Sequence, residues 1–266
     1  MATLAHFLAA HAIALMMLSV GLRTDHAVVR DLKTRWPLLL RALAAVWIAV
    51  PLFALLVVRV VRPDPASAAV LVIMAICPGV PFVLFRSKRA RGDPRTSLLV
   101  LIGTALTACV AVPIWSVVLA LPVRPLEAAR VVLTMVLLPF AIGRGVNEVA
   151  HRAAAPLAAV VHWLFVAGLV LLALGALKLG APAVREVDGR DVIAALLIPL
   201  GAVAIGALAA WGPRPERISV GFAAALGNTA LAIAVVANAP AAVSLVIAFV
   251  VLRVLALIVP MQIFRR

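Results

Sequence analysis

Ala75–Pro94 reads AICPGVPFVLFRSKRARGDP. It begins with the apolar character of a membrane-spanning helix, yet Pro78, Gly79 and Pro81 fall close together inside that run. Proline removes a backbone donor and clashes with the preceding helical turn. In hydrocarbon, a broken backbone is tolerated only where protein or a water-filled cavity covers it. The stretch therefore belongs inside a helical bundle, away from lipid. Its second half carries Arg86, Lys88, Arg89 and Arg91. Arg86 is placed to edge an inner vestibule, and the other three suit a cytoplasmic membrane anchor.

The rest of the chain has the same apolar character. Of 266 residues, 66% are hydrophobic and the mean hydropathy is +1.20, far above soluble domains. A bilayer crossing needs about 20 mostly apolar residues. A window of about that length finds nine candidate spans, at 2–22, 36–61, 66–85, 96–121, 128–147, 155–177, 191–211, 218–237 and 241–264. The fifth is the weakest, interrupted by Arg130, Pro139 and Arg144. No polar stretch is long enough to hold a soluble core. Ala2–Leu22 lacks a basic start and a small-x-small cleavage site, so it reads as a retained helix. Cys77 and Cys109 lie within apolar segments and read as small core residues rather than a disulfide or metal site.

The net charge is +14. In a soluble chain this would raise nucleic acid as a partner. Here the charge sits mostly in short loops, so topology explains it and no nucleic-acid partner is expected. Arg23, Arg30, Lys33, Arg35, the run from Arg86 to Arg95, Arg144, Arg152, Arg214, Arg217, Arg265 and Arg266 fall on one side, fifteen in all against seven on the other. The positive-inside rule then puts the N-terminus outside and the C-terminus in the cytoplasm. An Ala- and Arg-rich, Lys-poor composition is compatible with a GC-rich bacterial source, hence an inner-membrane location.

A second interruption lies in the eighth span, ISVGFAAALGNTALAIAVV, where Gly221, Gly227, Asn228 and Thr229 break an Ala-rich run. Glycine permits an unwound turn, and an intramembrane Asn needs partners. Each interruption lies in the second-to-last span of a half, spans one to four and six to nine. An odd number of crossings separates the halves, so they would be inverted. Paired Gly/Pro breaks at matching positions point to a transporter substrate site. Pro kinks in a structural bundle are the plainer alternative.

At these residues the chain resembles the bile acid:sodium symporter family. Met16–Arg23, MMLSVGLR, is similar to that family's Met-x-x-Gly-Leu element. Cys77–Gly79 and Arg91–Asp93 have the spacing of its first crossover helix and exit. Glu216–Ala232 resembles its second crossover helix. The resemblance implies an all-α integral membrane protein with nine transmembrane helices and an inverted repeat. A panel domain would comprise 1–22 and 126–178. A core domain would comprise 36–121 and 190–264, with broken helices crossing mid-membrane near 78–81 and 227–229. Substrate would bind between the bodies near the crossing, and one body would move against the other.

The departures concern sodium. The family's Ser-Asn pair aligns with Val83 and Leu84, its Glu with Ala223 and its Gln with Gly227, leaving Asn228. Sodium is a hard cation that wants oxygen ligands, so the usual sodium sites are expected to be absent. Arg253 sits mid-span in VVLRVLAL. A central Arg costs at least about 2.5–3.5 kcal/mol on insertion scales and should face the interior. It either supplies fixed positive charge and binds an anionic group bidentately, or bonds to broken-helix carbonyls. Candidate substrate-binding residues are Arg253, Asn228, Thr229, Pro78, Gly79, Pro81, Gly227 and Ser19. Asn228 and Thr229 serve either the substrate or the helix break. Ser19 faces a cavity or bonds its own helix. Asn147, Glu148 and His151 form either a solvated helix end or a proton-coupling cluster. His162 is either a packed neutral ring or a proton carrier, and His6 and His11 read as packed. Asp188 and Asp191 read as solvated loop residues.

No His-Glu-x-x-His motif, Gly-x-Ser-x-Gly elbow, P-loop or intramembrane carboxylate pair occurs. No catalytic residue, cofactor or metal is therefore expected. The leading expectation is a secondary transporter of a small organic anion, sodium-independent, working as a uniporter, exchanger or proton-coupled carrier. The alternatives are a non-transporting membrane sensor that keeps the fold, and a symporter with a non-standard sodium site.

Overall fold

The structure, a computed structural model, describes residues 2–24, 30–31, 33–77, 82–120, 125–166, 187–236 and 239–265. Among them the elements are all helices: α1 (Ala2–Arg23), α2 (Trp36–Val61), α3 (Pro65–Ala75), α4 (Phe82–Arg89), α5 (Pro94–Val118), α6 (125–149), α7 (151–166), α8 (Gly189–Ala210), α9 (Arg214–Ala225), α10 (Thr229–Val235), α11 (Pro240–Ala256) and α12 (Ile258–Arg265). Four segments, α2, α5, α8 and the run Ala241–Arg265, are long and apolar enough to cross a bilayer. Large apolar side chains such as Leu52, Leu56, Val110, Ile114, Trp163 and Leu208 are exposed on the helices, as a lipid-facing surface requires.

Helix starts follow capping chemistry. Asp64 precedes Pro65 and accepts the Ala66 N–H at 2.9 Å. Asp93 precedes Pro94 and accepts the Arg95 and Thr96 N–H groups at 3.1 and 3.0 Å. Asp188 and Asp191 form a reciprocal capping box on α8. That box corrects the expectation of a solvated Asp191. Its side chain is buried because it accepts both the Asp188 N–H, at 3.1 Å, and the Asp64 N–H, at 2.9 Å. Asn147 is likewise buried rather than solvated, donating to the Thr24 carbonyl at 2.8 Å and lying 3.0 Å from His151 Nδ1. Glu148 and His151 remain exposed.

Proline also shapes the long helices. In α2 a π-turn, Ala45–Ala49, precedes Pro51, which cannot donate to Trp47 O. That carbonyl instead accepts Trp115 Nε1–H from α5 at 2.8 Å, while Trp47 Nε1–H reaches Thr107 Oγ1 at 2.8 Å. The same device recurs in α6, where the π-turn Leu133–Leu137 precedes Pro139. Small residues set the tightest packing. A Cβ on Gly143 would lie 2.9 Å from Leu22 N, so α1 and α6 meet backbone to backbone. On α8, a Cβ at Gly206 would lie 2.6 Å from Val220 O of α9.

Both α2 and α8 end on a left-handed residue that is not glycine, Arg62 (φ 55°) and Trp211 (φ 45°). A helix with proline in its first turn follows each, α3 and α9. Each of these stops after a similar run, at Ala75 and at Ala225.

Candidate functional site

The second interruption meets the chain just before the first. Leu226, Gly227 and Asn228 leave the helical conformation between α9 and α10. The Asn228 N–H donates to the Cys77 carbonyl at the end of the described part of the first break. Asn228 then caps α10, its Oδ1 accepting the Leu231 N–H at 3.0 Å. Of the two roles expected for Asn228, this bond serves the helix break. Thr229 is the first residue of α10 and is half-buried. Pro78, Gly79 and Pro81 lie outside the described residues.

Arg253 reaches this meeting point from α11. Its side chain is 8% exposed, and Nη2–H donates to Met74 O in the last turn of α3 at 3.5 Å. Its Nη1 lies against Gly227, so closely that a Cβ there would collide with it. The guanidinium thus faces the Met74 carbonyl, in the last turn of α3, where helical partners run out. A cavity of about 10 Å³, room for roughly one water, adjoins it between Met74, Ala225, Gly227, Val50 and Pro199. Among the described residues, none of the side chains lining that cavity carries an oxygen. A hard cation such as sodium takes oxygen ligands, so these side chains do not suit it.

Ser19 lies elsewhere. With Met16 and Arg23 of α1, Leu84 of α4, Leu98 of α5 and His162 of α7 it lines a cavity of about 90 Å³. Ser19 Oγ donates to Ala158 O at 3.2 Å, and Arg23 Nη2 donates to the same carbonyl at 3.4 Å. His162 packs obliquely near Phe165, ring centres 6.1 Å apart. His11 is exposed, and the side chain of His6 lies outside the described residues.

A polar clasp joins the starts of α5 and α9, and the sequence reading missed it. Arg35 bonds Thr96 Oγ1 at 3.0 Å, approaches Asp93 Oδ2 at 3.5 Å and pairs with Glu216. Ser87, Ser97 and Ser219 are fully buried. Ser97 Oγ donates to Ser87 Oγ at 2.8 Å, the Ser87 and Ser219 hydroxyls are 2.9 Å apart, and Ser219 donates to Asp93 O at 2.8 Å. Burial pushes the Asp93 carboxyl up. The Thr96 hydroxyl and amide, the Arg95 amide and the Arg35 charge outweigh burial and hold it below the usual value. The available signal was an Asp directly before Pro94, a helix-start pattern.

Apolar helices that cross a membrane, with an interrupted helix turned inward, define a multi-pass membrane protein of the transporter class. The family is the Sodium Bile acid symporter family, whose model matches residues 10–185, and the chain belongs to it. Its members are membrane transporters, not enzymes. The matched stretch ends before α8, so Gly227, Asn228 and Arg253 lie outside it. No curated protein matches the chain.

Proposed function

We propose that the protein carries a small organic anion across the cell membrane by alternating access, without sodium. The observation that carries this reading is the placement of Arg253, whose guanidinium lies against Met74 O and Gly227 where the second interruption meets the chain just before the first. There it supplies permanently the positive charge that a bound cation would otherwise bring, and an anion drawn to the crossing needs no ion to accompany it. Two further features support the wider architecture of inverted halves. The left-handed ends of α2 and α8 and the stops at Ala75 and Ala225 occupy matching places. Asp191 at the start of α8 bonds the loop before α3, while Arg35 just before α2 bonds Glu216 in the first turn of α9. A panel built on α1, α6 and α7 would then move against a core built on the remaining helices, with the N-terminus outside.

The test is uptake of labelled short-chain monocarboxylates into proteoliposomes, with sodium or potassium as the outer cation. Equal initial rates are expected. Strong stimulation by a sodium gradient overturns the coupling assignment, and uptake unchanged by Arg253→Ala overturns the role of that side chain. Binding without any flux identifies a sensor instead of a carrier.

A further inference from the structure

Positive charge gathers at the end of α12. Phe264 packs edge to face on the buried Phe222 of α9, ring centres 6.2 Å apart, which holds that end against α9. Arg214, at the start of α9, donates from Nη2 to the Phe264 carbonyl at 3.1 Å, and Arg265 donates from Nε to the Arg89 carbonyl of α4 at 3.1 Å. Both arginines are exposed. Each has five donors, and among the described residues neither pairs with a carboxylate. Glu216, two residues after Arg214, pairs with Arg35 instead. Two further observations place this charge where lipid headgroups lie. Trp211, three residues before Arg214, is 85% exposed, and surface tryptophan on a membrane protein favours the headgroup layer. Val251, Leu255 and Ile258 form an exposed apolar stripe, and Gln262 and Arg265 continue the same helical face. The face is unbroken between α11 and α12, because the Leu257 N–H still bonds Arg253 O and the Met261 N–H still bonds Leu257 O.

We propose that Arg214 and Arg265, at the end of the exposed stripe of Val251, Leu255 and Ile258, form a binding site for one anionic phospholipid. The phosphodiester accepts the remaining N–H donors of the two guanidiniums, whose planar forks suit a phosphate. One acyl chain lies along the stripe. General attraction to an anionic leaflet spreads over every Lys and Arg near the surface. These two guanidiniums are instead held by backbone carbonyls, so little rotamer freedom is lost when the headgroup arrives. The ligand is therefore a single bound lipid and not a diffuse layer. The site goes beyond the transport reading and stands whichever substrate the protein carries.

The experiment measures binding of tritium-labelled phosphatidylglycerol to the full-length protein in a neutral detergent. The competitors are unlabelled phosphatidylglycerol, phosphatidylcholine with the same acyl chains, and inorganic phosphate. Phosphatidylglycerol is expected to compete at least about tenfold better than phosphatidylcholine, and inorganic phosphate is expected not to displace the lipid. Arg214→Gln and Arg265→Gln are each expected to weaken binding about fivefold, and the pair together about twenty-five-fold. Arg265→Lys, which keeps the charge, retains most of the affinity. Arg95→Gln combined with Arg152→Gln removes the same charge from two other exposed positions and leaves the affinity unchanged. The proposal is overturned if phosphatidylcholine competes as well as phosphatidylglycerol, or if inorganic phosphate displaces the lipid. Both of those outcomes are read on wild-type protein and need no variant to fold. It is also overturned if the Arg214 and Arg265 double variant binds as wild type does, or if the Arg95 and Arg152 double variant loses as much affinity, which is diffuse attraction only.

Discussion

A methyl group added at Gly227 would collide with the Arg253 guanidinium and lie 2.8 Å from Met74 O. Gly227→Ala therefore displaces the arginine or opens the crossing. Either outcome costs about 1–3 kcal/mol, the usual range for overpacking a filled interior, and lowers anion uptake, both measurable on purified protein. Asn228→Ala removes the cap on the Leu231 N–H and costs about 1 kcal/mol. Asn228→Ser restores most of it, because a serine hydroxyl caps nearly as well. Chemical unfolding in detergent reads the difference. Gly227, Asn228 and Arg253 were all legible in the sequence, as a break and a charge out of place in apolar runs. A broken-helix carbonyl was one of the two partners expected for Arg253, but which one was not legible, because Met74 contributes only its backbone carbonyl, which every residue possesses.

At the level of elements, the clasp at the starts of α5 and α9 gives a pH prediction. Asp93 ionises more readily in the folded protein than in the unfolded chain. Its stabilising contribution is fully present above the unfolded value near 3.8, and it is lost as pH falls through the lower folded value. Asp93→Asn should therefore melt earlier than wild type at pH 7. The gap should shrink as the pH is taken below about 4, as thermal melts at several pH values would show. Arg35 links Thr96 of α5 to Glu216 of α9. Arg35→Gln should loosen both helix starts and expose their amides to faster hydrogen exchange. Proline and glycine announced the two breaks from sequence. The π-turns were harder to see, since Ala45–Ala49 contains neither residue and is set by Pro51 two positions later. The burial of Asp191 depends on a backbone donor at Asp64, a partner far away in sequence that no local pattern reveals.

Across the whole molecule, hydropathy and loop charge were enough to anticipate a helical membrane protein, because lipid imposes apolar length and closed backbone bonding on any chain that crosses it. They did not reveal which side chains converge, since most contacts at the crossing and in the larger cavity run to carbonyls or between distant helices. The expected orientation has a direct check. Arg190→Cys at the start of α8 should react with an impermeant maleimide added outside intact cells, and Lys88→Cys in α4 should react only after permeabilisation. If Arg253 stands in for a coupling cation as proposed, its tethered guanidinium also has an electrical consequence. A sodium ion that travels with an anion cancels its charge and leaves the membrane voltage almost no work to do. A cation fixed to α11 never crosses, so the anion's charge moves uncompensated unless a proton or a counter-anion moves too. At an interior-negative 100 mV, one such charge is worth about 2.3 kcal/mol, an outward bias of roughly fiftyfold in concentration. Left to voltage alone, a carrier of the proposed kind would run as an exporter, and inward accumulation would require exchange or protons.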